Sequence, residues 1–186
     1  SVIYYLKRQV VKKDVTQATK IAILNANYLA ACLKDTYGIV YRGATGFVGH
    51  EMILECRKVH EETGISENDI AKRLMDYGYH APTLSFPVHG TLMIEPTESE
   101  SLAELDNFVD VMLNIWKEIQ EVKNEEADKN DNVLINAPHP EYEIVNDNWE
   151  HSYTREKAAY PIESVRENKF WVNVARVENT LGDREL

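Results

Sequence analysis

The stretch from Asp76 to Glu100 constrains the fold most, because it has the composition of a helix end, a shaped loop, a strand and a helix start in direct succession. Gly78 suits the left-handed backbone that often follows a helix, and Pro82 and Pro87 require extended backbone before them. Thr91 to Glu95 has the composition of a strand. Four polar side chains crowd the loop: His80, Thr83, Ser85 and His89. Loops held by a rigid scaffold often bind ligands, so we expect any ligand-binding surface here.

The first predicted helix begins at Asp14, which resembles a capping box together with Gln17, and it ends before Gly38. Its core face consists of apolar residues at helical spacing: Ala22, Ala26, Leu29, Ala30 and Leu33. Tyr28 and Cys32 widen this apolar stripe, so we expect a sheet rather than a single helix to cover it.

Two further helices are marked by their N-caps. Ser66 is followed three positions later by Asp69, which predicts a helix start, and this helix ends at Gly78. Ser99 or Ser101 begins a strongly amphipathic helix of roughly two dozen residues, with glutamates near its positive end.

Two strands are predicted between the first and second helices. Ile39 to Tyr41 forms a short one, and His50 to Arg57 forms another in which every second residue is expected to face the core: Met52, Leu54 and Cys56. The glycine-rich segment from Arg42 to Gly49 is typical of a hairpin connection. It is not a dinucleotide-binding loop, because the glycine spacing differs and a strand pattern follows it.

This order of elements predicts an α+β fold with about three mostly antiparallel strands and helices on one face. Residues 1–123 are expected to form the domain, and the polar residues 124–132 a linker. Residues 133–186 lack a long period but are dense in aromatic residues, so we expect an irregular arm that lies on a larger body. The chain starts at Ser1 in apolar, helix-compatible sequence, as a piece of a longer protein would.

The composition excludes several classes of partner. A formal net charge of -11 argues against binding to nucleic acid or to an anionic membrane, since both attract basic surfaces. No apolar run reaches the roughly 20 residues that a membrane-spanning helix needs. Cys32 and Cys56 both lie in apolar patterns, so two buried thiols in a reducing compartment are favoured over a disulfide. We therefore expect a soluble protein.

The sequence alone contains no complete active site. The six histidines lack the spacing of a known metal-ligand set, and no serine or cysteine has the surroundings of a nucleophile. Glu95, Glu98 and Glu100 could be paired catalytic carboxylates, but the helix dipole already accounts for two of them. We predict no catalytic residue and no metal ligand in this chain.

Two arginines lie in strand-like apolar contexts, where a guanidinium usually has a carboxylate or phosphate to bind. Arg42 follows the first strand and Arg176 lies in Val174 to Val177. An internal Asp or Glu is the more common partner for each. A ligand's anionic group is the alternative.

Several blocks of sequence resemble the C-terminal region of the glycine dehydrogenase (decarboxylating) family, the P-protein of the glycine cleavage system. The resemblance covers essentially the whole chain, with the blocks in the family's order: Leu24–Tyr28, Tyr41–Ala44, Gly49–Glu51, Ile70–Glu100, Tyr153–Pro161, Glu167–Trp171 and Gly182–Arg184.

The resemblance implies the small C-terminal domain of a pyridoxal 5′-phosphate enzyme of the aspartate-aminotransferase type, fold type I. The family decarboxylates glycine and passes the aminomethyl group to the lipoyl arm of the H-protein. It also implies that the Schiff-base lysine belongs to a large cofactor-binding domain that precedes this chain, that the full enzyme is dimeric, and that it is cytoplasmic in bacteria or mitochondrial in eukaryotes. The chain alone is then inactive.

Within this resemblance we expect four residues to line the substrate or cofactor cleft: Arg42, His80, Thr83 and Arg176. The alternative function is a free-standing α+β module that binds a ligand or regulates a partner without catalysis.

Overall fold

A computed structural model of the chain describes residues 12–177, which form an α+β fold. The helices in this part are α1 (Lys12–Leu33), α2 (Arg57–Thr63), α3 (Glu67–Asp76), α4 (Leu102–Lys123), α5 (Glu141–Ile144), α6 (Arg155–Ala159) and α7 (Glu163–Glu167). The strands are β1 (Ile39–Val40), β2 (Met52–Glu55), β3 (Thr83–Leu84) and β4 (Thr91–Ile94). The Gly182–Arg184 block and the N-terminal residues 1–11 lie outside the described residues.

The four strands form one sheet in the order β1-β2-β4-β3, and every neighbouring pair is antiparallel. The predicted strands and the hairpin connection after β1 are confirmed. The prediction of about three strands missed β3, whose two exposed residues pair with β4 at the sheet edge. Ile53 was expected on the outer side of β2 but is only 4% exposed.

The hydrophobic core lies between one sheet face and the helices. Helices α1 and α3 pack directly on the strands, while α4 packs across α1, α2 and α3. The core centre is fully buried, for example at Leu33, Leu54, Leu92 and Met112. The fold thus has the predicted arrangement of an antiparallel sheet with helices on one face. Among residues 12–177, no helix is both long and apolar enough to cross a membrane.

Two expectations about α1 are wrong. Asp14 does not cap the helix, because Lys12 is already helical, so the carboxylate lies within a turn and not before it. Cys32 is exposed, whereas Cys56 is buried as predicted. The core covers one side of α1, and Cys32 lies on another side.

Helix α2 was not predicted, because the strand was expected to continue to Arg57. The strand ends at Glu55, whose carboxylate accepts a hydrogen bond from the Arg57 backbone N–H at 3.0 Å. Val59 and Thr63, one helical turn apart, are the buried residues of α2. A helix of seven residues with two buried positions leaves almost no periodic signal in the sequence.

The predicted caps of α3 and α4 are confirmed. Ser66 and Asp69 form a reciprocal capping box at the start of α3, and Ser101 caps α4 by accepting from the Glu104 N–H at 3.1 Å. Gly78 follows α3 with a φ of 87°, the left-handed conformation for which glycine is favoured.

A buried group of charged residues fastens the chain after α4 to α3. We call Arg73, Asp76, Glu118 and His139 the Arg73 cluster. Arg73 is 0% exposed and donates two hydrogen bonds to the Glu118 carboxylate, at 2.6 and 3.0 Å. Its other donors reach Asp76 at 3.0 Å and the Ala158 carbonyl at 2.9 Å. The guanidinium therefore joins α3, α4 and α6.

His139 and Asp76 extend this cluster. The Asp76 carboxylate accepts from the backbone N–H of His139 and contacts its Nδ1, both at 2.7 Å, and His139 Nε2 lies 2.9 Å from the Tyr153 hydroxyl. Burial by itself would raise the pKa of Asp76, but the His139 hydrogen bond and the Arg73 charge hold it below its usual value. Val133 and Leu134 also enter the hydrophobic core. The division into domain, linker and arm remains a prediction.

Candidate functional site

A pocket of about 470 Å³ opens where the loop after α3 passes between β4 and the first half of α4. Its lining includes the loop residues Tyr79–Thr83, the strand end Met93–Pro96, and side chains of α1 and α4. This is the loop in which the sequence predicted a ligand-binding surface. The pocket size is within the range of small-molecule sites in proteins.

The floor and the rim of the pocket differ in chemistry. Apolar side chains form the floor: Leu29, Ile94, Leu105 and Phe108. Three carboxylates border it, on Glu95, Glu100 and Glu104, and all three residues are exposed. An apolar floor excludes water, while an acidic rim attracts cationic groups and repels anionic ones.

Tyr79 ties the loop to α4. Its hydroxyl donates to the Glu104 carboxylate and accepts from the Asn107 side-chain amide, both at 2.7 Å. Its ring meets Phe108 edge-on, with ring centres 5.2 Å apart. Burial and the hydrogen bond to Glu104 raise the pKa of Tyr79, so the phenol stays neutral and acts as a donor. The pocket wall is therefore fixed by a three-residue hydrogen-bond network.

A second contact fixes the far end of the loop. The Ser85 hydroxyl donates to the carboxylate of Glu67, at the start of α3, and the Gly90 N–H reaches the same carboxylate at 3.2 Å. Ser85 has a φ of 52°, and a Cβ on Gly90 would lie 2.3 Å from Arg57 Cγ. His89 Nδ1 lies 3.1 Å from the Ser85 hydroxyl. The polar residues Ser85 and His89 thus hold the loop in shape and do not line the pocket.

The structure brings two of the four predicted site residues together. His80 and Thr83 both line the pocket, and both residues are exposed. His80 Nδ1 lies 2.9 Å from the Ala81 carbonyl. Arg42 is exposed in the connection between β1 and β2 and does not line this pocket. The functional role of these residues stays a prediction.

Arg176 also lies away from the pocket. Its guanidinium forms an ion pair with Asp69 of α3 and donates to the carbonyls of Ala137 and Leu134, each at 3.0 Å. Its partner is thus the internal carboxylate that the sequence favoured. In this structure Arg176 positions residues 134–137 against α3.

The sequence did not single out Tyr79, Glu104 or Asn107. Glu104 is one of the glutamates expected near the positive end of α4, and it lies in the first turn of that helix. The hydrogen bond from Tyr79 joins residues 25 apart in sequence, and nothing local marks it. The only available signal was an aromatic residue directly after a helix-ending glycine.

One group of described residues has metal-ligand atoms close together. His50, Glu51 and Glu95 each place one within 4.8 Å of the others, at the adjoining ends of β2 and β4. His50 and Glu95 are exposed and Glu51 is half-buried. Exposed acidic groups commonly lie together without an ion. That the chain supplies no metal ligand stays a prediction.

The pocket residues do not fit pyridoxal phosphate, the cofactor implied by the resemblance. A phosphate needs N–H or cationic donors and the aldehyde needs a lysine, but no lysine lines this pocket and its rim is acidic. Among the described lysines, burial lowers the pKa of Lys169 to about 8, but its Nζ donates to the Asp76 carbonyl at 2.7 Å. That amine is engaged at the end of α3.

Comparisons with known proteins agree with the resemblance. The model of the family described as "Glycine dehydrogenase, C-terminal domain" matches residues 18–139. A protein named "Glycine dehydrogenase (decarboxylating)" from Bacteroides thetaiotaomicron is 97% identical over 94% of this chain, which spans only 18% of that relative. Proteins of the same name from Bacteroides fragilis and Pelagibacter ubique are 88% and 53% identical over the same shares. The chain therefore belongs to the glycine dehydrogenase family and corresponds to its C-terminal domain.

Proposed function

We propose that this chain is the C-terminal domain of a longer, dimeric enzyme that decarboxylates glycine with pyridoxal phosphate and transfers the aminomethyl group to the lipoyl arm of an H-protein. The observation that carries the proposal is the 97% identity, over 94% of this chain, to a protein named glycine dehydrogenase (decarboxylating). The chain spans 18% of that relative, so most of the enzyme lies outside it. A free-standing module has no comparison in its favour.

The cofactor is held by a large domain that precedes this chain. An acidic pocket without a lysine cannot supply the phosphate site or the imine-forming amine. The antiparallel sheet with helices on one face is compatible with the small domain of a fold type I enzyme. When bound, pyridoxal phosphate supplies the electron sink for decarboxylation.

This chain contributes one wall of the substrate cleft. The apolar floor at Leu29 and Leu105 keeps water out, which strengthens polar interactions beside it. His80 and Thr83 present polar groups at the edge of that floor. The acidic rim favours positively charged groups, such as the ammonium group of glycine, and Tyr79 holds the wall in place.

The proposal is tested with the full-length protein. Supplied with pyridoxal phosphate, lipoylated H-protein and glycine labelled in its carboxyl group, it is expected to release labelled carbon dioxide. Omission of H-protein should reduce the release strongly, and alanine in place of glycine should abolish it. No glycine-dependent release with all components present would contradict the proposal.

A further inference from the structure

The second half of α1 is unusually apolar for a helix at the surface. Residues 21–33, Ile-Ala-Ile-Leu-Asn-Ala-Asn-Tyr-Leu-Ala-Ala-Cys-Leu, contain no charged side chain. A surface helix normally carries charged residues on the side that faces water, and a helix that is apolar all round is normally buried. Here only one side of the helix is covered.

The covered side contains the core residues Ala26, Leu29, Ala30 and Leu33. The two asparagines of the segment are also used internally. Asn25 donates to the Thr97 carbonyl at 2.8 Å, and Asn27 exchanges hydrogen bonds with the backbone of Val48, at 2.9 and 3.0 Å. The polar groups of this segment therefore hold neighbouring loops in place.

A second stripe of α1 faces away from the core. We call Leu24, Tyr28, Ala31 and Cys32 the outer α1 face, since they recur at i, i+4, i+7 and i+8 along the helix. Leu24 is 66% exposed, and Ala31 and Cys32 are exposed as well. Tyr28 is half-buried, and its hydroxyl donates to Asp106 of α4. The face is thus apolar and bordered by a tyrosine with a fixed hydroxyl.

The apolar side of α1 that faces the core in the second half of the helix extends into the first half, where the core does not cover it. Val15 lies on the same side of α1 as Ala22, Ala26 and Leu33, and it is 56% exposed. The first half of the helix therefore carries apolar groups that the described residues do not cover.

The length of the relatives indicates what covers these groups. The chain spans 18% of them and matches their C-terminal domain, so the greater part of the protein precedes α1. Apolar faces at a surface mark interfaces, and α1 is the element nearest to the missing part along the chain. Resting on the proposed function, we infer that the outer α1 face packs against the preceding part of the full-length enzyme.

Cys32 is a natural probe of this contact. In the isolated chain it is exposed, whereas Cys56 is 0% exposed and its burial raises the pKa of its thiol. A thiol reagent should therefore label Cys32 and leave Cys56 unmodified. In the full-length protein, docking leaves Cys32 reactive only through transient opening, so its labelling should be about 100-fold slower.

The experiment compares alkylation rates of the Cys32 peptide, read by mass spectrometry, in the isolated chain and in the native full-length protein. The same protein in guanidinium is the control, and there Cys32 should label rapidly. Equal rates in the isolated chain and the native full-length protein would overturn the inference. Protection that appears only at concentrations where the full-length protein dimerises, or already in a self-associated isolated chain, would assign the face to a second copy and also overturn it.

A pair of charge variants adds an independent measurement. Leu24→Glu should restore rapid Cys32 labelling in the full-length protein without changing the melting temperature of the isolated chain. Lys34→Glu, at an exposed position in the turn directly after α1, should change neither. Glycine-dependent carbon dioxide release is measured on the same preparations. Activity with a reactive Cys32 would refute the docking alone, and a protected Cys32 without glycine activity would refute the proposed function alone.

Discussion

Helix α3 leads into two polar regions of opposite character. Its last turn carries Arg73 and Asp76 into the closed Arg73 cluster, and the loop directly after it carries Tyr79 to Thr83 into the open pocket. In the described residues, every buried side-chain nitrogen or oxygen has a hydrogen-bond partner, including those of the cluster. The pocket rim leaves carboxylates exposed at Glu95 and Glu100.

This difference separates polar residues that stabilise the fold from polar residues that can bind a ligand. The cluster's charges meet one another, so they fix how residues 139–169 lie on α3 and α4. The exposed carboxylates at the pocket rim can bind a group that lies outside the described residues. Changes in the cluster should therefore act on stability, and changes in the pocket on activity.

The largest effect is expected from Arg73→Met. It leaves the Glu118 and Asp76 carboxylates buried without their cation, so the free energy of unfolding of the isolated chain should fall by about 3–5 kcal/mol. Denaturant titration followed by circular dichroism measures it. The matched control is Arg166→Met, which removes an ion pair with Glu156 at the surface and should cost about 0–1 kcal/mol. Equal losses of stability in the two variants would contradict the distinction between buried and exposed charges.

Asp76→Asn should lower the free energy of unfolding by about 1–3 kcal/mol at neutral pH, because the hydrogen bonds to a charged acceptor are weakened. The folded-state pKa of Asp76 is depressed, so its contribution is complete above the unfolded pKa of about 3.9 and is lost as pH falls through the folded value. The difference in the free energy of unfolding between the two proteins should thus stay constant from pH 7 to about pH 5 and shrink as pH falls further, to about 2. A difference that does not shrink below about pH 5 would mean that the pKa of Asp76 is not depressed.

Tyr79→Phe should have a smaller effect, about 0.5–1.5 kcal/mol, since it removes one hydroxyl that joins Glu104 and Asn107. The loop at the pocket wall should loosen, which hydrogen exchange of residues 79–83 would show as faster exchange. In the full-length enzyme we expect a raised KM for glycine with a smaller change in kcat. Unchanged exchange would mean that the phenol does not hold the loop.

Thr83→Val should have the smallest effect on stability, within about 0.5 kcal/mol, because the side chain is exposed at the sheet edge and valine suits a strand. In the full-length enzyme, loss of the hydroxyl should lower kcat/KM for glycine by up to about tenfold, the value of one hydrogen bond. Melting temperature and steady-state rates measure the two effects. A lower melting temperature with unchanged steady-state rates would mean that Thr83 stabilises the fold and does not contribute to activity.

Local chemistry explains which parts of the fold could be predicted. The capping box of Ser66 and Asp69, the glycine after α3 and the hairpin before β2 depend on neighbours in sequence, and all are confirmed. Arg73 and Glu118 are 45 residues apart in sequence, so no local sequence pattern predicts that they pair. Strand β3 exists only through its pairing with β4.

The site was predictable in part for the same reason. His80 and Thr83 lie in the loop that the sequence singled out, because prolines and polar residues mark such a loop locally. Arg176 was singled out because it lies in an apolar, strand-like context where an arginine usually has an anionic partner. That partner is Asp69, which only the tertiary structure reveals. Cys32 was expected to be buried and is exposed, because the core covers another side of α1.

We propose that this chain supplies an open half of a site that the rest of the enzyme completes. The most direct measurement is the exchange of labelled bicarbonate into the glycine carboxyl group by the isolated chain, incubated with pyridoxal phosphate and H-protein beside the full-length protein. We predict exchange by the full-length protein and none above background by the isolated chain, with no imine absorbance. Stoichiometric imine formation and glycine-dependent exchange by the isolated chain would contradict the proposal that the site needs the rest of the enzyme.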